Sequence, residues 1–514
     1  MRNDEWASMR EADFDAMLKS SVSESPPEDV VSAVSPCKKA LNRVLIGIVL
    51  SAITLNFWCL DYILPSVGAL LSLLGFRALR RENKWFFYCF ALTIVSGAYL
   101  FCELILNTTI LQSAFYASSV ETFLSVVGSL LLLLKFYCFW RGICIIQEKA
   151  ALPAHANSVL ALVVWYAVML ILAIFHCEST FVIGIVIIIF AIIVCNIAKL
   201  SKELDAVGYA IANTSHKISD RCLVCMILAA LTVGCACGYL FGDSYRMDWQ
   251  TVDAAEHNNV SDIKSNLLDL GFPEAVLNDL GAADIAACNG AVQVKSGVSD
   301  HFVYGCSNLP DETYNNLGSH NLQPTATRDL RITNVAVKLS GTENRWMTFQ
   351  HFRWLNHPRF YGTEAFYIVS PAYRYSKDCS CAGEATGRVL YDDDGGNSYA
   401  SPYHFLGEQD NAGEVPILDF SEEGGIIAGF SVPRQCQNCR GYIAYPVIAH
   451  GKEYTIGNFL KYFHQRSCLQ YPAVTAMEFS KDNAWNTFAF SVSANDFLFS
   501  YESESIEGYN RHSG

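Results

Sequence analysis

The chain has 514 residues, of which 52% are hydrophobic and 17% charged, with a formal net charge of −14. The hydrophobic share and a mean hydropathy of +0.22 depart from a soluble average, and the acidic balance excludes nucleic acid as a partner class, because phosphate binding requires a basic footprint. Neither property is spread evenly: residues 1–241 carry 17 Lys/Arg and 17 Asp/Glu, whereas residues 242–514 carry 19 and 33, so all of the net charge lies in the second half.

Residues 1–43 read as a cytoplasmic tail. EADFDAMLKSSV places Phe14, Met17 and Leu18 on one face of an amphipathic helix. Pro26-Pro27 ends it, and Glu28-Asp29 suit the first turn of a second helix. The apolar face is a candidate dock for a cytoplasmic protein partner; a plain tail lying near the membrane is the alternative. No small-residue cleavage site precedes the first apolar run, so that run is expected to act as an uncleaved anchor.

Residues 44–241 hold the long apolar runs. A transmembrane helix needs about 20 mostly apolar residues, and seven candidates appear at 44–60, 62–76, 85–106, 120–140, 158–176, 181–198 and 222–241. The first two are nearly fused around Asn56 and Asp61, as a tight helical hairpin or one re-entrant element. Basic residues follow the positive-inside pattern. Lys38, Lys39 and Arg43 precede the first run, Arg77, Arg80, Arg81 and Lys84 follow the second, Arg141 and Lys149 the fourth, and Lys199, Lys202, Lys217 and Arg221 the sixth. The loops 107–119 and 177–180 have no Lys or Arg. Seven spans in this pattern predict a multi-pass plasma-membrane protein with a cytoplasmic N-terminus and an extracytoplasmic second half. Glu103 and Lys135 read as end-of-helix anchors rather than a proton path. Gly68, Gly75, Gly97, Ala98 and Gly128 suggest helix packing rather than a pore. Cys222-x-x-Cys225 is a weak metal pattern beside small apolar cysteines.

Residues 242–327 read as a juxtamembrane helical unit and linker. Ile263, Leu267, Leu268, Val276, Leu277 and Leu280 have helical spacing, broken at Gly271-Phe272-Pro273 and Gly281. From 328 to 514 the pattern is β: RITNVAVKL, WMTFQHFRWL, AFYIVSPAY, GGIIAGFSV, GYIAYPVIA, NTFAFSVSA and DFLFSY are short strands separated by turn residues. The expected fold is an α-helical membrane bundle of about seven spans, then the small helical unit, then an antiparallel, jelly-roll-like β-sandwich. The aromatic residues crowded between Trp346 and Tyr375 are expected mainly in its core.

Chemistry-bearing patterns are few. His351, His357, His404 and His464 are available as metal ligands or catalytic groups, against ordinary satisfied histidines. Asp392, Asp394 and Asn397 in the DDDGGN turn are weak calcium candidates that lack the alternating register of an EF-hand; no other cofactor is expected. Glu422 and Glu423 are adjacent and cannot flank a bond. No G-x-S-x-G, H-E-x-x-H or P-loop occurs, and no catalytic residue is assigned. Cys379 and Cys381 in KDCSCAG, with Cys436 and Cys439 in QCQNCRG, can hold zinc or form disulfides. On the extracytoplasmic side thiols are usually oxidised, so cross-links are predicted from Cys379 or Cys381 to Cys436 or Cys439, contributing about 4 kcal/mol in the chain-entropy model. Cys288, Cys306 and Cys468 complete the seven thiols of that half.

The stretch from Phe14 through LNRVLIGIVLSAITLNFWCLDYILPSVGALLSLLGFRALRRENKWF, with LLDLGFPEAVLNDLGAADIAAC and WMTFQHFRWL…CRGYIAYPV, resembles a group of uncharacterised multi-pass membrane proteins of Gram-positive, gut-type bacteria with an exported C-terminal domain. The resemblance implies a bacterial plasma membrane and brings no activity or catalytic residues. The functional expectation is a non-enzymatic surface protein, embedded in a lipid bilayer, whose β-sandwich binds or senses an extracellular ligand. A transporter or transport-accessory subunit and a cell-envelope hydrolase are the alternatives.

Overall fold

A computed structural model describes residues 36–53, 59–152, 157–175, 179–207, 209, 218–253, 255–301, 328–341, 344–369, 379–409, 425–434, 436–450, 454–482 and 489–500. The amphipathic tail, Cys306, Tyr373, Tyr375, Glu422 and Glu423 lie outside them. The chain divides into two compact units, residues 1–105 with 115–234, and residues 106–114 with 235–514.

The first unit is helical: α1 (Pro36–Ala52), α2 (Leu60–Leu79), α3 (Lys84–Leu106), α5 (Ser119–Lys149), α6 (Asn157–Ile174), α7 (Thr180–Ala206) and α8 (Asp220–Phe241); the short α4 (Leu111–Tyr116) lies between α3 and α5. Among the described residues six helices, α2, α3 and α5 to α8, are long and apolar enough to cross a membrane. This corrects the expected count of about seven. The first helix starts earlier, at Pro36, takes in Lys38, Lys39 and Arg43, and ends at Ala52. Its 17 residues span about 26 Å at 1.5 Å per residue, short of a hydrocarbon core of about 30 Å.

Helices α1 and α2 form a hairpin whose backbones touch. A Cβ on Gly47 would sit 2.6 Å from the Gly68 carbonyl oxygen, and a Cβ on Gly68 would sit 2.6 Å from that of Gly47. Small residues permit this approach. One end of the bundle gathers its charges: Lys38 pairs with Asp205 at 2.8 Å, and Arg43 and Arg77 both reach Asp220, at 3.0 and 3.3 Å. Lys149 Nζ donates to the Glu82 carbonyl oxygen.

The second unit is built on two antiparallel sheets. Its strands are β1 (Gln250–Thr251), β2 (Ala291–His301), β3 (Leu330–Leu339), β4 (Asn344–Trp354), β5 (Glu364–Val369), β6 (Cys379–Cys381), β7 (Thr386–Asp392), β8 (Ser398–Pro402), β9 (Phe405–Gln409), β10 (Gly425–Phe430), β11 (Gln437–Ala449), β12 (Thr455–Gln465) and β13 (Phe490–Ser500). The first sheet runs β1-β8-β7-β11-β4-β3-β2, with β6 also on β11; the second runs β13-β12-β5-β10-β9. Strand β4 pairs with β11 in one sheet, and β5 pairs with β10 in the other.

The core between the sheets is aromatic, as the crowding of rings in the sequence predicts. Phe352 from the first sheet lies 5.5 Å from Phe366, 5.5 Å from Phe430 and 5.2 Å from Tyr462 of the second. Pro446 sits inside central strand β11, where prolines are rare because they cannot donate to the ladder. It falls where β7 pairing has ended at Ala444 and β6 pairing begins at Val447. Its carbonyl oxygen accepts from Ala382 N on that side, so its missing N–H faces the gap.

Three short helices, α9 (Ser261–Asp269), α10 (Glu274–Leu277) and α11 (Ala282–Ala286), occupy the region read as helical, separated at Gly271–Pro273 and Gly281. They do not stand apart as a spacer. Leu267, Phe272, Leu277, Leu280 and Ile285 share a buried core with Val335, Val337, Met347, Phe349 and Ala444, making a third layer on the first sheet. Residues 106–114 also belong to this unit. Ala473 N donates to the Asn107 carbonyl oxygen at 2.7 Å, Gln112 Nε2 to that of Ala473 at 2.6 Å, and Ile110 N to that of Gly242 at 2.8 Å.

The Gly47–Gly68 contact makes a direct prediction. Gly68→Leu should destabilise the bundle by about 1–3 kcal/mol through overpacking, read as a lower melting temperature of the full-length protein in detergent. Leucine at Gly97, where a Cβ has nothing within 4 Å, should leave it nearly unchanged.

Candidate functional site

Alternation along the strands decides which side chains face the helical layer. In β4, Trp346, Phe352 and Trp354 point into the inter-sheet core, while Met347 and Phe349 face the helices. His351 and Arg353 continue that second face by the period-two rule. Beyond the apolar contact, the layer is fastened by buried charge. Asp279, in the turn just beyond α10, takes His351 Nε2 on Oδ2 at 2.8 Å and Arg440 Nε on Oδ1 at 2.7 Å. Arg440 also donates to Asp392 Oδ1 at 2.9 Å, and Asp392 accepts from Asn438 and Ser398, each at 2.7 Å.

Arg388 caps the same corner. Its guanidinium donates to the Asp279 and Leu280 carbonyl oxygens at 3.0 and 2.9 Å and to Glu256 at 2.8 Å. It thereby satisfies carbonyls that a short helix leaves without partners. Tyr442 accepts from Gly281 N at 2.8 Å and donates to Asp284. Burial pushes the Asp279 carboxyl up, but the hydrogen bonds and charges of His351 and Arg440 outweigh it, and the carboxyl titrates below the usual carboxylate range.

Where the helical layer ends, the sheet face opens into a cleft of about 500 Å³, within the range of small-molecule sites. Its lining mixes apolar side chains, Pro273 and Val276 from the helical layer with Val298, Trp354 and Leu355 from the sheet, and polar ones, Arg331, Thr333, His351, Arg353, His357 and Asn438; Val298 lies directly opposite Thr333 in the sheet. Three arginines lie in one register across the sheet, Arg331 on β3 opposite Arg353 on β4 opposite Arg440 on β11. Like charges directly opposed destabilise a sheet unless neutralised. Arg331 is closed by a two-pronged pair with Asp300 at 2.7 and 2.9 Å, whose hydrogen bonds hold the Asp300 carboxyl low. Arg440 has Asp279 and Asp392. Arg353, between them, has no carboxylate partner among the described residues.

The residues singled out from sequence lie elsewhere or in structural roles, except His351 and His357, which line the cleft. His464 is buried against Glu364, with Nδ1 3.0 Å from both carboxylate oxygens, and His404 stacks on Tyr245 at 4.3 Å. The calcium candidates point to different protein partners: Asp392 to Arg440, Asp394 to Gln437 Nε2, and Asn397 to Asp393 across the β7–β8 turn. No group of three or more His, Cys, Asp or Glu side chains is arranged for a metal among the described residues.

The predicted cross-links between the two cysteine pairs are overturned by register. Cys379 lies opposite Ala449 and Cys381 opposite Val447 at the far end of β11, while Cys439 lies near its start. Ten residues of strand are about 33 Å, against the roughly 4.4–6.8 Å between Cα atoms that a disulfide requires. No cysteine of one pair therefore comes within disulfide reach of the other pair. Burial pushes the Cys439 thiol well up, and hydrogen-bonding contact with Cys436 adds to the shift, which makes it unreactive.

No known family model matches the chain, and no curated protein matches it. Solved structures with faint likeness to it include the following three. "BspA_C_mut" is 8% identical over 27% of this chain and 52% of that one, with a TM-score of 0.16, so the chain spans about half of its length. The KRT10-binding region domain of the pneumococcal serine rich repeat protein PsrP is 8% identical over 36% of this chain and 92% of that one, with a TM-score of 0.18. A structure titled "Pore forming protein" is 9% identical over 40% and 90%, with a TM-score of 0.17. TM-scores this low assign neither fold nor function.

Two predictions follow from the fastening and the thiols. Asp279→Ala leaves Arg440 without a main partner and should cost about 3–5 kcal/mol, measured by denaturant unfolding of the full-length protein. Because the folded Asp279 pKa is depressed, its contribution is present above the unfolded value near pH 3.9 and is lost as pH falls through the folded value; the variant should lose less stability on acidification than the wild type. Alkylation under denaturing, non-reducing conditions should label Cys379, Cys381, Cys436 and Cys439, and mass mapping should find no peptide joining the two pairs.

Proposed function

We propose that this chain is a non-enzymatic, integral membrane receptor whose jelly-roll-like β-domain lies outside the cytoplasm and takes a small ligand into the cleft beside its helical layer. The cleft is the observation that carries the reading: a concave site lined by both apolar and polar side chains, the usual build of a ligand pocket. Of its two histidines, His351 spends Nε2 on Asp279.

Topology supports the exported domain. Lys38, Arg43, Arg77 and Lys149 gather at one end of the helical unit, which the positive-inside rule assigns to the cytoplasm. Helix α8 begins at Asp220, the partner of Arg43 and Arg77; with that end cytoplasmic, a membrane-crossing α8 carries the chain that follows it out of the cytoplasm. The bacterial plasma membrane suggested by the sequence resemblance is part of the same proposal. Residues 106–114 give ligand binding a route to the spans. They follow α3 directly, yet their hydrogen bonds run to residues 473 and 242 of the β-domain.

Paired cysteines test this reading. Leu469 and Val207 are both exposed, at 77% and 52%. Leu469→Cys should react with a membrane-impermeant maleimide on intact cells and Val207→Cys should not; the reverse pattern would remove the exported domain. A glycan and peptide screen with the full-length protein in detergent should yield a ligand whose binding is lost in the cleft-filling variant Leu355→Trp.

A further inference from the structure

We propose that the cleft is an oxyanion site, in which Arg353 holds the carboxylate or phosphate of a small ligand whose apolar body lies against Val298, Leu355 and Val276. The assignment rests on the ligand-binding reading and adds the chemical class of the ligand.

The register of the sheet makes Arg353 the informative residue. It stands between Arg331 and Arg440, directly opposite both, in an arrangement that costs stability unless the charges are met. Among the described residues, carboxylates meet two of the three. Asp300 takes both prongs of Arg331, while Asp279 and Asp392 divide Arg440 between them. These three carboxylates are held by contacts of 2.7–2.9 Å. Arg353 is left facing a cavity instead of a fourth carboxylate. An arginine retained there is explained if an oxyanion arrives with the ligand, since guanidinium and carboxylate or phosphate match as paired N–H donors and acceptors.

The surroundings suit such an ion. Thr333, Asn438 and His357 line the same cleft, with Thr333 a neutral hydroxyl donor and Asn438 keeping the second N–H of an amide that already donates to Asp392. His351 spends Nε2 on Asp279, which fixes its ring. Val298, beside Thr333 in the sheet, and Leu355 are exposed at 54% and 39% and offer an apolar body contact close to the polar groups.

Isothermal titration of the full-length protein in detergent with benzoate, phenyl phosphate and benzyl alcohol tests this. The three share a ring and differ in the oxyanion. Benzoate or phenyl phosphate should bind, with the tighter of the two assigning carboxylate or phosphate, and benzyl alcohol should bind about tenfold more weakly or worse. Arg353→Gln should weaken the anion about tenfold or more, while Arg345→Gln, exposed on the same strand, should not. An unliganded melt confirms that the glutamine variant is folded. If it is not, Arg353→Lys decides, because it keeps the charge but loses the planar pair and should weaken binding several-fold. Equal binding of benzyl alcohol, or wild-type anion affinity in folded Arg353→Gln or Arg353→Lys, overturns the oxyanion assignment while leaving a ligand-binding cleft. Failure of all three probes overturns the assignment too, and the screen with Leu355→Trp then judges the receptor reading by itself.

Discussion

The β-domain depends on one carboxylate. Asp279 lies in the turn two residues beyond a four-residue helix with no stability of its own, yet it meets a histidine and an arginine from two different strands. Without it, the helical layer would lose its contact to His351, and Arg440 would be a buried cation lacking its main counterion. The arrangement locates the layer's edge, and that edge is one wall of the cleft. Arg388 and Tyr442 reinforce the same junction by occupying backbone groups that short helices leave open. Site and scaffold are thus one construction: the carboxylate that pins the layer also withholds itself from Arg353.

The architecture was legible in the sequence to the degree that it depends on local pattern. Apolar runs located the bundle helices, although the helices beginning at Ser119 and Thr180 run on eight or nine residues past them, to Lys149 and Ala206, and Gly271–Pro273 and Gly281 marked the breaks in the helical layer. The count of spans failed at α1, where apolar content extends to residue 60 but the helix stops at Ala52. Strand β12 escaped notice although Ile456, Leu460 and Tyr462 alternate, because Gly457 and Asn458 interrupt the apolar run. The segments NTFAFSVSA and DFLFSY proved to be parts of one strand, with Asn495 and Asp496 inside it rather than at a turn.

What the sequence could not convey was register between strands distant along the chain. Cysteine spacing suggested a staple, but only pairing shows that Cys379 and Cys439 sit at opposite ends of β11. The row of arginines is equally invisible beforehand. Arg331, Arg353 and Arg440 are ordinary outward residues of three separate strands, and their meeting follows from the pairing of β11 with β4. The nearest available signal was modest: Arg353 shares the alternating face of β4 with His351, a polar end to an otherwise apolar stripe.

Residues 106–114 have a consequence for how the molecule is made. They are synthesised soon after α3, but their partners at Gly242 and Ala473 come much later. Asn107 and Thr108 are almost fully buried in the finished unit, so until the last strands form, this loop is an unfinished surface of the β-domain. Assembly of that unit is therefore bracketed by the chain itself: its first piece is laid down before most of the helices exist, and it closes only when nearly the whole polypeptide has emerged.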